Sequence, residues 1–216
     1  MTADISPTAL RAKIRSGEWT TPTSGAATGF LQANLVMLPK TLAFEFLLFC
    51  TRNPKPCPVL DVLEPGQTEP AIAPGADLTT DLPLYPLYRE GRMTDEVADV
   101  RAFFSEDTVS FLLGCSFSFE NAMQAAGLPV RNIEEGKNVS MYITNRPCRP
   151  AGPFEAPLVV TMRPMTPAQA IRAVQVTTRF HQTHGAPIHV GDPAVLGISD
   201  LERPDFGDPV NIKPDE

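Results

Sequence analysis

Positive charge, long apolar runs and closely spaced cysteines are all scarce in this sequence, and each shortage excludes a class of protein. The 216 residues carry 18 Lys and Arg against 25 Asp and Glu, which gives a formal net charge of −7, and no run of basic residues stands out. A nucleic-acid surface needs clustered positive charge to displace counterions from phosphates. We therefore expect no nucleic-acid partner.

The absence of a long apolar run bears on the membrane. No stretch approaches the roughly 20 apolar residues that cross a bilayer. The opening MTADISPTALRAKIRSGEW contains acidic residues and the start and stop signals of a helix, whereas a signal peptide has a basic segment followed by an apolar one. These features predict a soluble, cytoplasmic protein without a membrane partner. Cys50, Cys57, Cys115 and Cys148 have neither CxxC metal spacing nor the density of a disulfide scaffold. We expect reduced thiols.

Proline, in contrast, is abundant. The chain has 23 prolines, about twice average usage, and they are spread among apolar segments without forming a repeat. This distribution indicates that the prolines mark turns and element ends in a folded chain. The stretch LEPGQTEPAIAPGADLTTDLP, residues 63–83, predicts a long irregular surface loop.

Helical and strand patterns alternate along the chain, which favours an α/β layered fold. The continuous apolar run at 156–164 is typical of a central strand covered on both faces. Capping signals and periodicity predict the following elements: a helix capped by Ser6, a helix opened by Pro39, strands over 57–62 and up to Gly114, a helix over 120–126, strands over 138–146 and 156–164, a helix from Thr166 to about His184, and a strand over 187–190 that leads through a glycine turn to a helix capped by Asp192.

From this order we predict a mixed layered α/β sheet fold with a second, smaller two-layer α/β subdomain. Residues 1–119 and 185–216 would form the main domain, and residues 120–184 the smaller subdomain. In open α/β sheets, ligands bind beyond the carboxyl ends of the strands, where helix N-termini also point. The polar residues expected at such ends are Cys115, Ser116, Ser118, Thr144, Asn145, Arg146, Arg163, His189 and Asp192.

The segment LLGCSFSFE, residues 112–120, combines a glycine, a thiol, two hydroxyls and a carboxylate. A hydrolase nucleophile elbow needs a second glycine where Ser118 stands, so that class is disfavoured. Cys115 would be a nucleophile if a helix N-terminus lowered the pKa of its thiol, although a buried structural cysteine is the commoner outcome. Ser116 or Ser118 either contributes to a site or caps the next helix, whose dipole Glu120 would complement.

All three histidines lie within nine residues. His181 and His184 fall at a predicted helix end, where an imidazole can cap free carbonyls. His184, His189 and Asp192 are the residue types of a two-His, one-carboxylate metal site, but their spacing matches no helix-based metal motif, so we predict no metal. His189 and Asp192 form either an acid/base pair or an interaction in which Asp192 is only a helix cap.

Three arginines are candidates for carboxylate binding. Arg146 and Arg163 each end a predicted strand before a proline, and Arg149 lies between them. Guanidinium groups bind carboxylates through two parallel hydrogen bonds, which suits an acidic small molecule. The alternative is ordinary surface pairing with Glu134, Glu135 or Glu155.

Several long strings resemble the D-glutamate cyclase family, many of whose bacterial members are named as hydro-lyases. They are NPKPCPVLDVLEPG, APGADLTTDLPLY, FLLGCSFSFENA, EEGKNVSMYITNRPCRPAGPF, PLVVTMRP and HGAPIHVGDP. The resemblance runs from about residue 17 to residue 212. Members usually continue beyond the position of Glu216 into a further apolar segment, so we expect a shorter chain than theirs.

This resemblance implies a cofactor-independent hydro-lyase that dehydrates D-glutamate to 5-oxo-D-proline. His189 or Asp192 would take the ammonium proton, and donors at Cys115, Ser116 and Ser118 would stabilise the oxyanion. As our own hypothesis from the residues, the substrate-binding residues are Arg146, Arg149, Arg163, Asn145, Thr144, Glu120 and His184. Two alternatives remain open: a dehydratase of another small hydroxy or amino acid, and a non-catalytic regulatory protein that binds a carboxylate. A homo-oligomer is compatible with each of these functions.

Overall fold

The strands form three separate antiparallel sheets in the computed structural model, which describes residues 5–216. The elements in chain order are α1 (Pro7–Arg15), β1 (Ala33–Pro39), α2 (Lys40–Arg52), β2 (Val59–Val62), β3 (Tyr85–Arg89), β4 (Arg92–Val97), β5 (Thr108–Gly114), α3 (Phe117–Ala125), α4 (Arg131–Glu134), β6 (Met141–Pro147), β7 (Pro157–Thr161) and α5 (Pro167–Thr177). Short 3-10 helices follow at His181–Thr183 and Pro193–Leu196. The mixed α/β class is confirmed, and residues 63–83 are irregular as predicted.

β5 is the central strand of the first sheet, whose order is β1-β5-β2. Six of its seven residues are buried because both faces of the strand are covered. On one face Val109, Phe111 and Leu113 pack with the apolar side of α2, and on the other Leu112 packs with Leu63. Burial on both faces fixes the direction of β5 and hence the position of the turn at its carboxyl end.

The prediction of a central strand at 156–164 is wrong. β7 pairs only with β6 among the described residues, and its exposure alternates along the strand, with Val159 41% exposed. In β6, Tyr142 and Thr144 point inward while Ile143 is half-exposed. A continuous apolar run indicates a strand, but the number of neighbouring strands is decided by contacts with distant parts of the chain.

Helix starts agree with the sequence better than helix ends do. The Ser6 hydroxyl accepts a hydrogen bond from the Ala9 amide, and Thr166 forms the predicted capping box with Gln169. The predicted end at about His184 is wrong, because α5 ends at Thr177. There the Thr177 and Thr178 hydroxyls donate to the carbonyls four residues earlier, a bonding pattern that weakens the helix locally.

Residues 187–190 are not a strand, which corrects another prediction. The helix after them is one 3-10 turn, and its predicted cap is confirmed because the Asp192 carboxylate accepts a hydrogen bond from the Ala194 amide at 2.9 Å. The chain then runs back along β6, where Phe206 pairs with Met141. Within residues 5–216, no helix is long and apolar enough to cross a membrane.

Candidate active site

The turn between β5 and α3 is held against a second segment with no space for a side chain. A Cβ atom on Gly114 would lie 1.9 Å from the Gln182 carbonyl oxygen. Three residues after this glycine the chain enters α3, where the Ser118 hydroxyl accepts a hydrogen bond from the Gln32 amide at 2.8 Å and donates one to the Gln32 carbonyl at 3.2 Å. The turn is therefore tied to the start of β1 as well as to the 3-10 helix.

The serines of this turn do not cap α3 as expected. Ser116 occupies the N-cap position, but its hydroxyl makes no capping hydrogen bond within the part of the chain that the structure describes. Its backbone is already helical, with φ −62° and ψ −19°, whereas a capping serine normally has extended backbone. Ser118 lies inside the helix and bonds Gln32 instead. Capping therefore does not account for either hydroxyl.

A closed ring of hydrogen bonds lies beside this turn and contains a buried ion pair. Glu120 Oε1 accepts from Arg163 Nη2 at 2.8 Å, and Glu120 Oε2 accepts from the Ser24 hydroxyl at 2.7 Å. Arg163 Nη1 donates to Asn132 Oδ1 at 3.3 Å, and Asn132 Nδ2 donates to the Ser24 oxygen at 3.4 Å. Four separate segments of the chain thus meet in one ring, in which Arg163 and Ser24 bond the Glu120 carboxylate directly.

The two charged side chains of this ring are buried. The side chain of Glu120 is 1% exposed and that of Arg163 is 12% exposed. The guanidinium carbon also lies 5.8 Å from the centre of the Phe119 ring, which adds a cation–π attraction. A buried charge is costly unless it is paired and hydrogen-bonded, and in this ring both carboxylate oxygens have partners. The ring therefore holds an oriented carboxylate and a cation away from bulk water.

A small cleft opens onto Glu120. It lies between α3 and the loop 25–30, has a volume of about 20 Å³, and is lined on the α3 side by Ser118, Glu120, Asn121 and Gln124. A cavity of this size holds about one water molecule. The loop has left-handed backbone at Ala27, with φ 49°, a conformation that costs roughly 1 kcal/mol or more for a residue with a Cβ. Glu120 thus borders the cleft, while its side chain is 1% exposed and both its oxygens are hydrogen-bonded.

Cys115 lies within the electrostatic reach of the ring. Burial raises the pKa of its thiol to about 11, with a further raising effect from the charge of Glu120, while hydrogen bonding from the Phe117 backbone and the charge of Arg163 lower it. The side chain is therefore a neutral thiol near pH 7 and not a thiolate. A protonated sulfur is a weak proton donor but a poor nucleophile.

His184 lies on the other side of Gly114 and not in an α-helix as predicted. It follows the 3-10 helix with left-handed backbone, φ 81°, and its Nδ1 donates to the Lys55 carbonyl at 2.9 Å. Burial lowers the pKa of the imidazole, although the hydrogen bond to the Lys55 carbonyl opposes this. His184 therefore connects the end of β5 to the segment after α2 as a neutral side chain.

We expect this lowered pKa to make part of the stability depend on pH. The unfolded chain binds a proton at His184 near pH 6.5, before the folded chain does, so the contribution is complete above that pH and is lost as the pH falls through the lower folded-state value. Its slope can reach about 1.4 kcal/mol per pH unit. Urea unfolding from pH 7.5 to pH 5 should show a flatter pH dependence for His184→Asn, since asparagine tolerates left-handed backbone. The exposed His181→Asn is the control, and equal slopes in all three proteins would contradict the assignment.

His189 and Asp192 lie in a second polar group. The imidazole Nε2 donates to the backbone carbonyl of Asp192 at 2.8 Å, and the Asp192 carboxylate caps the 3-10 helix. The amide of Asn145 reaches the Val195 carbonyl at 3.5 Å. The two side chains expected to form an acid/base pair therefore do not bond each other in the described structure, and each has a local structural partner.

In the described structure, Thr144, Arg146 and Arg149 also make no bond to the ring around Glu120. Thr144 is buried and donates to the Leu158 carbonyl at 2.7 Å. Arg146 and Arg149 are exposed, and their guanidinium groups make no ion pair or hydrogen bond within residues 5–216. Of the three predicted arginines, Arg163 is therefore the one joined to a buried carboxylate.

The structure thus brings together Cys115, Ser116, Ser118, Glu120 and Arg163, with His184 close by. The other predicted residues, Thr144, Asn145, Arg146, Arg149, His189 and Asp192, lie elsewhere. No hydrogen bond or ion pair among the described residues joins the two sets. This separation follows from the antiparallel sheets, because the crevice rule applies to parallel strands whose carboxyl ends share one edge.

Sequence reasoning missed Ser24, Gln32 and Asn132, which complete the site. Ser24 precedes Gly25 in a glycine-containing loop, a pattern that indicates a turn and nothing about a ligand. Its hydrogen bond to Glu120 spans 96 residues of sequence. No local signal in a single sequence identifies such a partner.

A larger cleft of about 380 Å³ lies at the end of β2, but its charge is wrong for a carboxylate ligand. Its lining includes Asp61, Glu64 and Glu69 and contains no lysine or arginine. The Asp61 Oδ2 atom is buried without a hydrogen-bond partner in the described structure. Like charges repel carboxylates, so we assign the candidate active site to the ring around Glu120.

Comparison with known proteins places these residues in context. The family model described as D-glutamate cyclase matches residues 109–216, a span that contains Glu120, Asn132 and Arg163. A protein of Syntrophobacter fumaroxidans named "Putative hydro-lyase" is 60% identical over 217 residues, covering 100% of this chain and 83% of the relative. Similar proteins of Geobacillus kaustophilus and Bacillus licheniformis, also named as hydro-lyases, are 59% and 56% identical, each covering 99% of this chain and 82% of its own length.

Proposed function

The chain belongs to the D-glutamate cyclase family, and from this premise we propose that it is a hydro-lyase that closes D-glutamate to 5-oxo-D-proline with loss of water. The observation that carries the proposal is the buried Glu120–Arg163 pair, in which both carboxylate oxygens accept hydrogen bonds, beside a cleft. The names of its relatives, which contain the word hydro-lyase, support the reaction class. The chemistry of the ring supports the roles that we assign to its residues.

The proposed reaction requires a neutral amine and a leaving oxygen that is protonated. The substrate ammonium loses one proton, its nitrogen forms a bond to the side-chain carboxyl carbon, and a tetrahedral oxyanion results. The nitrogen gives up a second proton after the new bond forms, the C–O bond then breaks, and the oxygen leaves as water with the two protons that the nitrogen has lost. Because both reacting groups belong to one molecule, fixing their orientation removes several kcal/mol from the barrier.

Glu120 is the proposed base that takes the ammonium proton and returns it to the leaving oxygen. Arg163 holds this carboxylate through the 2.8 Å hydrogen bond and supplies positive charge near the oxyanion. Ser24 and Asn132 fix the other sides of the ring. The neutral Cys115 thiol is a proposed donor at the same turn, whereas the Ser118 hydroxyl already donates to the Gln32 carbonyl. The scheme requires no cofactor.

The size of the cleft sets a condition on this proposal. A volume of about 20 Å³ accommodates a water molecule but not glutamate, since small-molecule sites usually occupy hundreds of Å³. Substrate entry therefore requires the loop 25–30 to move away from α3. Gly25 and Gly29, both with left-handed backbone, allow large changes in φ and ψ at the two ends of this loop.

Replacing Glu120 with glutamine tests the proposed base. We expect kcat/KM for D-glutamate to fall at least 100-fold, because a positioned general base contributes about 10²–10⁴-fold. Glutamine keeps the shape and one oxygen that accepts from Arg163, but it leaves the buried guanidinium without a counter-charge, so urea unfolding of the variant is measured first to establish that it is folded under the assay conditions. The metal-stripped protein is incubated separately with D-glutamate, L-glutamate and 5-oxo-D-proline, and both directions are followed by chiral chromatography.

Matched variants make the result specific. Glu135→Gln removes another paired glutamate, which lies at the end of α4 and bonds Lys137 at 2.9 Å and the Asn211 amide at 3.1 Å but, in the described structure, no member of the ring, and it should change kcat/KM less than twofold. His189→Gln should also leave turnover unchanged, whereas a large loss there would restore the second polar group as the active site. Binding of D-glutamate without conversion would replace the proposal by the regulatory protein, and turnover of a different acid would replace it by the other dehydratase.

A further inference from the structure

The segment 208–216 is hydrogen-bonded to α4 and to the residues that follow this helix. The Asn138 amide donates to the Asp208 carboxylate at 2.8 Å, and Lys137 Nζ donates to the Pro209 carbonyl at 2.8 Å. These two hydrogen bonds span 70 and 72 residues of sequence. The segment therefore fastens the region of α4 to a distant part of the chain.

A buried ion pair is the strongest of these attachments. Arg131, the first residue of α4, donates from Nη2 to Glu216 Oε1 at 2.6 Å and from Nη1 to the Asn211 carbonyl at 2.8 Å. The side chains of Arg131 and Glu216 are 6% and 3% exposed. The Arg131 Nε atom also pairs with Glu134 at 3.2 Å, but Glu134 belongs to α4 itself and is 49% exposed. Glu216 and Asn211 therefore supply the bonds that tie this guanidinium to a different segment.

The residue next to this ion pair is a member of the ring around Glu120. Asn132 follows Arg131 directly in α4 and is 3% exposed. We propose that the buried Arg131–Glu216 pair positions Asn132 in the candidate active site. Asn132 in turn sets the orientation in which the Arg163 guanidinium bonds Glu120. This inference rests on the proposed function, in which the Glu120 carboxylate is the base, and it makes Arg131 and Glu216 positioning residues that act through Asn132.

The hydrogen bonds of the Asn132 side chain are long, which makes them sensitive to the position of α4. Oδ1 accepts from Arg163 Nη1 at 3.3 Å, and Nδ2 donates to the Ser24 oxygen at 3.4 Å. A shift of roughly 0.3 Å takes both beyond the range of a hydrogen bond. Arg163 bonds Glu120 through its other terminal nitrogen, Nη2, so the bond to Asn132 fixes the rotation of the guanidinium plane about that contact. Displacing α4 therefore releases the group that holds the proposed base.

Glu216→Gln tests the proposal, because glutamine keeps the shape of the side chain and removes the charge that holds Arg131. We expect kcat for D-glutamate to fall about tenfold, since small misplacements of catalytic groups are costly. KM should change less than about twofold, because the lost orientation matters mainly in the transition state. Glu134→Gln is the matched control: it removes the exposed partner of Arg131 within α4 and should leave kcat within about twofold. Arg131→Lys keeps the charge but not the planar fork, so it should also lower kcat, and it replaces Glu216→Gln if urea unfolding shows that variant to be unfolded.

A double variant separates positioning from a general loss of structure. If Glu216 acts through Asn132, the variant Glu216→Gln with Asn132→Ala has the same kcat as Asn132→Ala alone. Two independent effects would instead multiply, as they do for residues that share no partner. A kcat for the double variant equal to the product of the two single losses would therefore overturn the proposal.

A measurement without substrate distinguishes this inference from the proposed function. The Nε–H signal of Arg163 in a proton–nitrogen NMR spectrum, identified by its absence in Arg163→Met, reports the environment of the guanidinium. It should shift in Glu216→Gln and keep its position in Glu134→Gln. If the unmodified chain fails to convert D-glutamate, the proposed function is overturned, while a shifted signal still supports the positioning of the ring. An unchanged Arg163 signal in Glu216→Gln overturns the inference whether or not D-glutamate is converted.

Discussion

Replacing Arg163 with methionine should lower the free energy of unfolding by about 3–5 kcal/mol, the range expected when one partner of a buried ion pair is removed. The remaining Glu120 is 1% exposed, so water cannot solvate its charge without local opening. The Ser24 hydroxyl would still donate to one carboxylate oxygen, but one neutral hydrogen bond does not replace a guanidinium. Methionine fills a similar volume, so the loss reports the charge and not a cavity.

Urea unfolding of three variants measures this effect. Arg163→Met should be the least stable, and Arg163→Met combined with Glu120→Gln should recover much of the loss because no unpaired charge then remains buried. Arg172→Met on the exposed face of α5 is the control and should lie within about 0.5 kcal/mol of the unmodified chain. A loss below about 1 kcal/mol for Arg163→Met would mean that the pair is solvated in solution.

Local signals in the sequence predicted helix starts well, whereas β1, β3, β4 and α4 were not predicted. The cap at Ser6, the capping box at Thr166 and the cap at Asp192 all depend on residues within three positions of one another, and each was predicted from that spacing. α2 lies between Pro39 and Pro54 as expected, because proline restricts the backbone on both sides. Such features need no information about the rest of the chain.

The arrangement of the elements could not be predicted in the same way. Whether 157–161 becomes a central strand or half of a two-stranded sheet depends on which distant strands pair with it, and its composition suits both. The antiparallel pairing of β5 with β1 and β2 likewise removed the shared carboxyl edge on which the predicted crevice relied. Strand pairing is a long-range property, and one sequence contains few signals for it.

In the candidate site, too, single residues were predicted from local signals while their long-range contacts were not. Glu120 and Arg163 were both predicted as substrate-binding residues, each from its own local position, but their contact with each other was not predicted. It spans 43 residues, and Ser24 is 96 residues from Glu120. His189 and Asp192, which lie three residues apart, looked more like a pair in the sequence than they are in the fold. Nearness in sequence favoured a pair whose side chains bond neighbouring backbone groups and not each other.

The second large effect is expected at Gly114, where alanine should lower the free energy of unfolding by about 3 kcal/mol, at the upper end of the cost of overpacking. The added Cβ would lie 1.9 Å from the Gln182 carbonyl oxygen and 3.0 Å from the Thr183 Cα. Both atoms are backbone, so no side-chain rotation relieves the clash. Gly114 itself cannot retreat easily, because its amide donates to the Pro58 carbonyl at 2.8 Å and its strand is central.

The 3-10 helix must therefore move, and this gives the Gly114→Ala variant a second, local signature. His184 follows that helix, so its displacement should open the end of β5 and raise the reaction rate of the buried Cys115 with a thiol reagent such as DTNB. Gly127→Ala is the matched control: its added Cβ meets no atom within 4 Å, and the left-handed φ of 75° limits the expected loss to about 1–2 kcal/mol. If both variants lost the same stability and Cys115 reacted no faster in Gly114→Ala, the close approach of the 3-10 helix to β5 would not exist in solution, and the turn that positions Glu120 would have to be held by Gln32 and Ser118 alone.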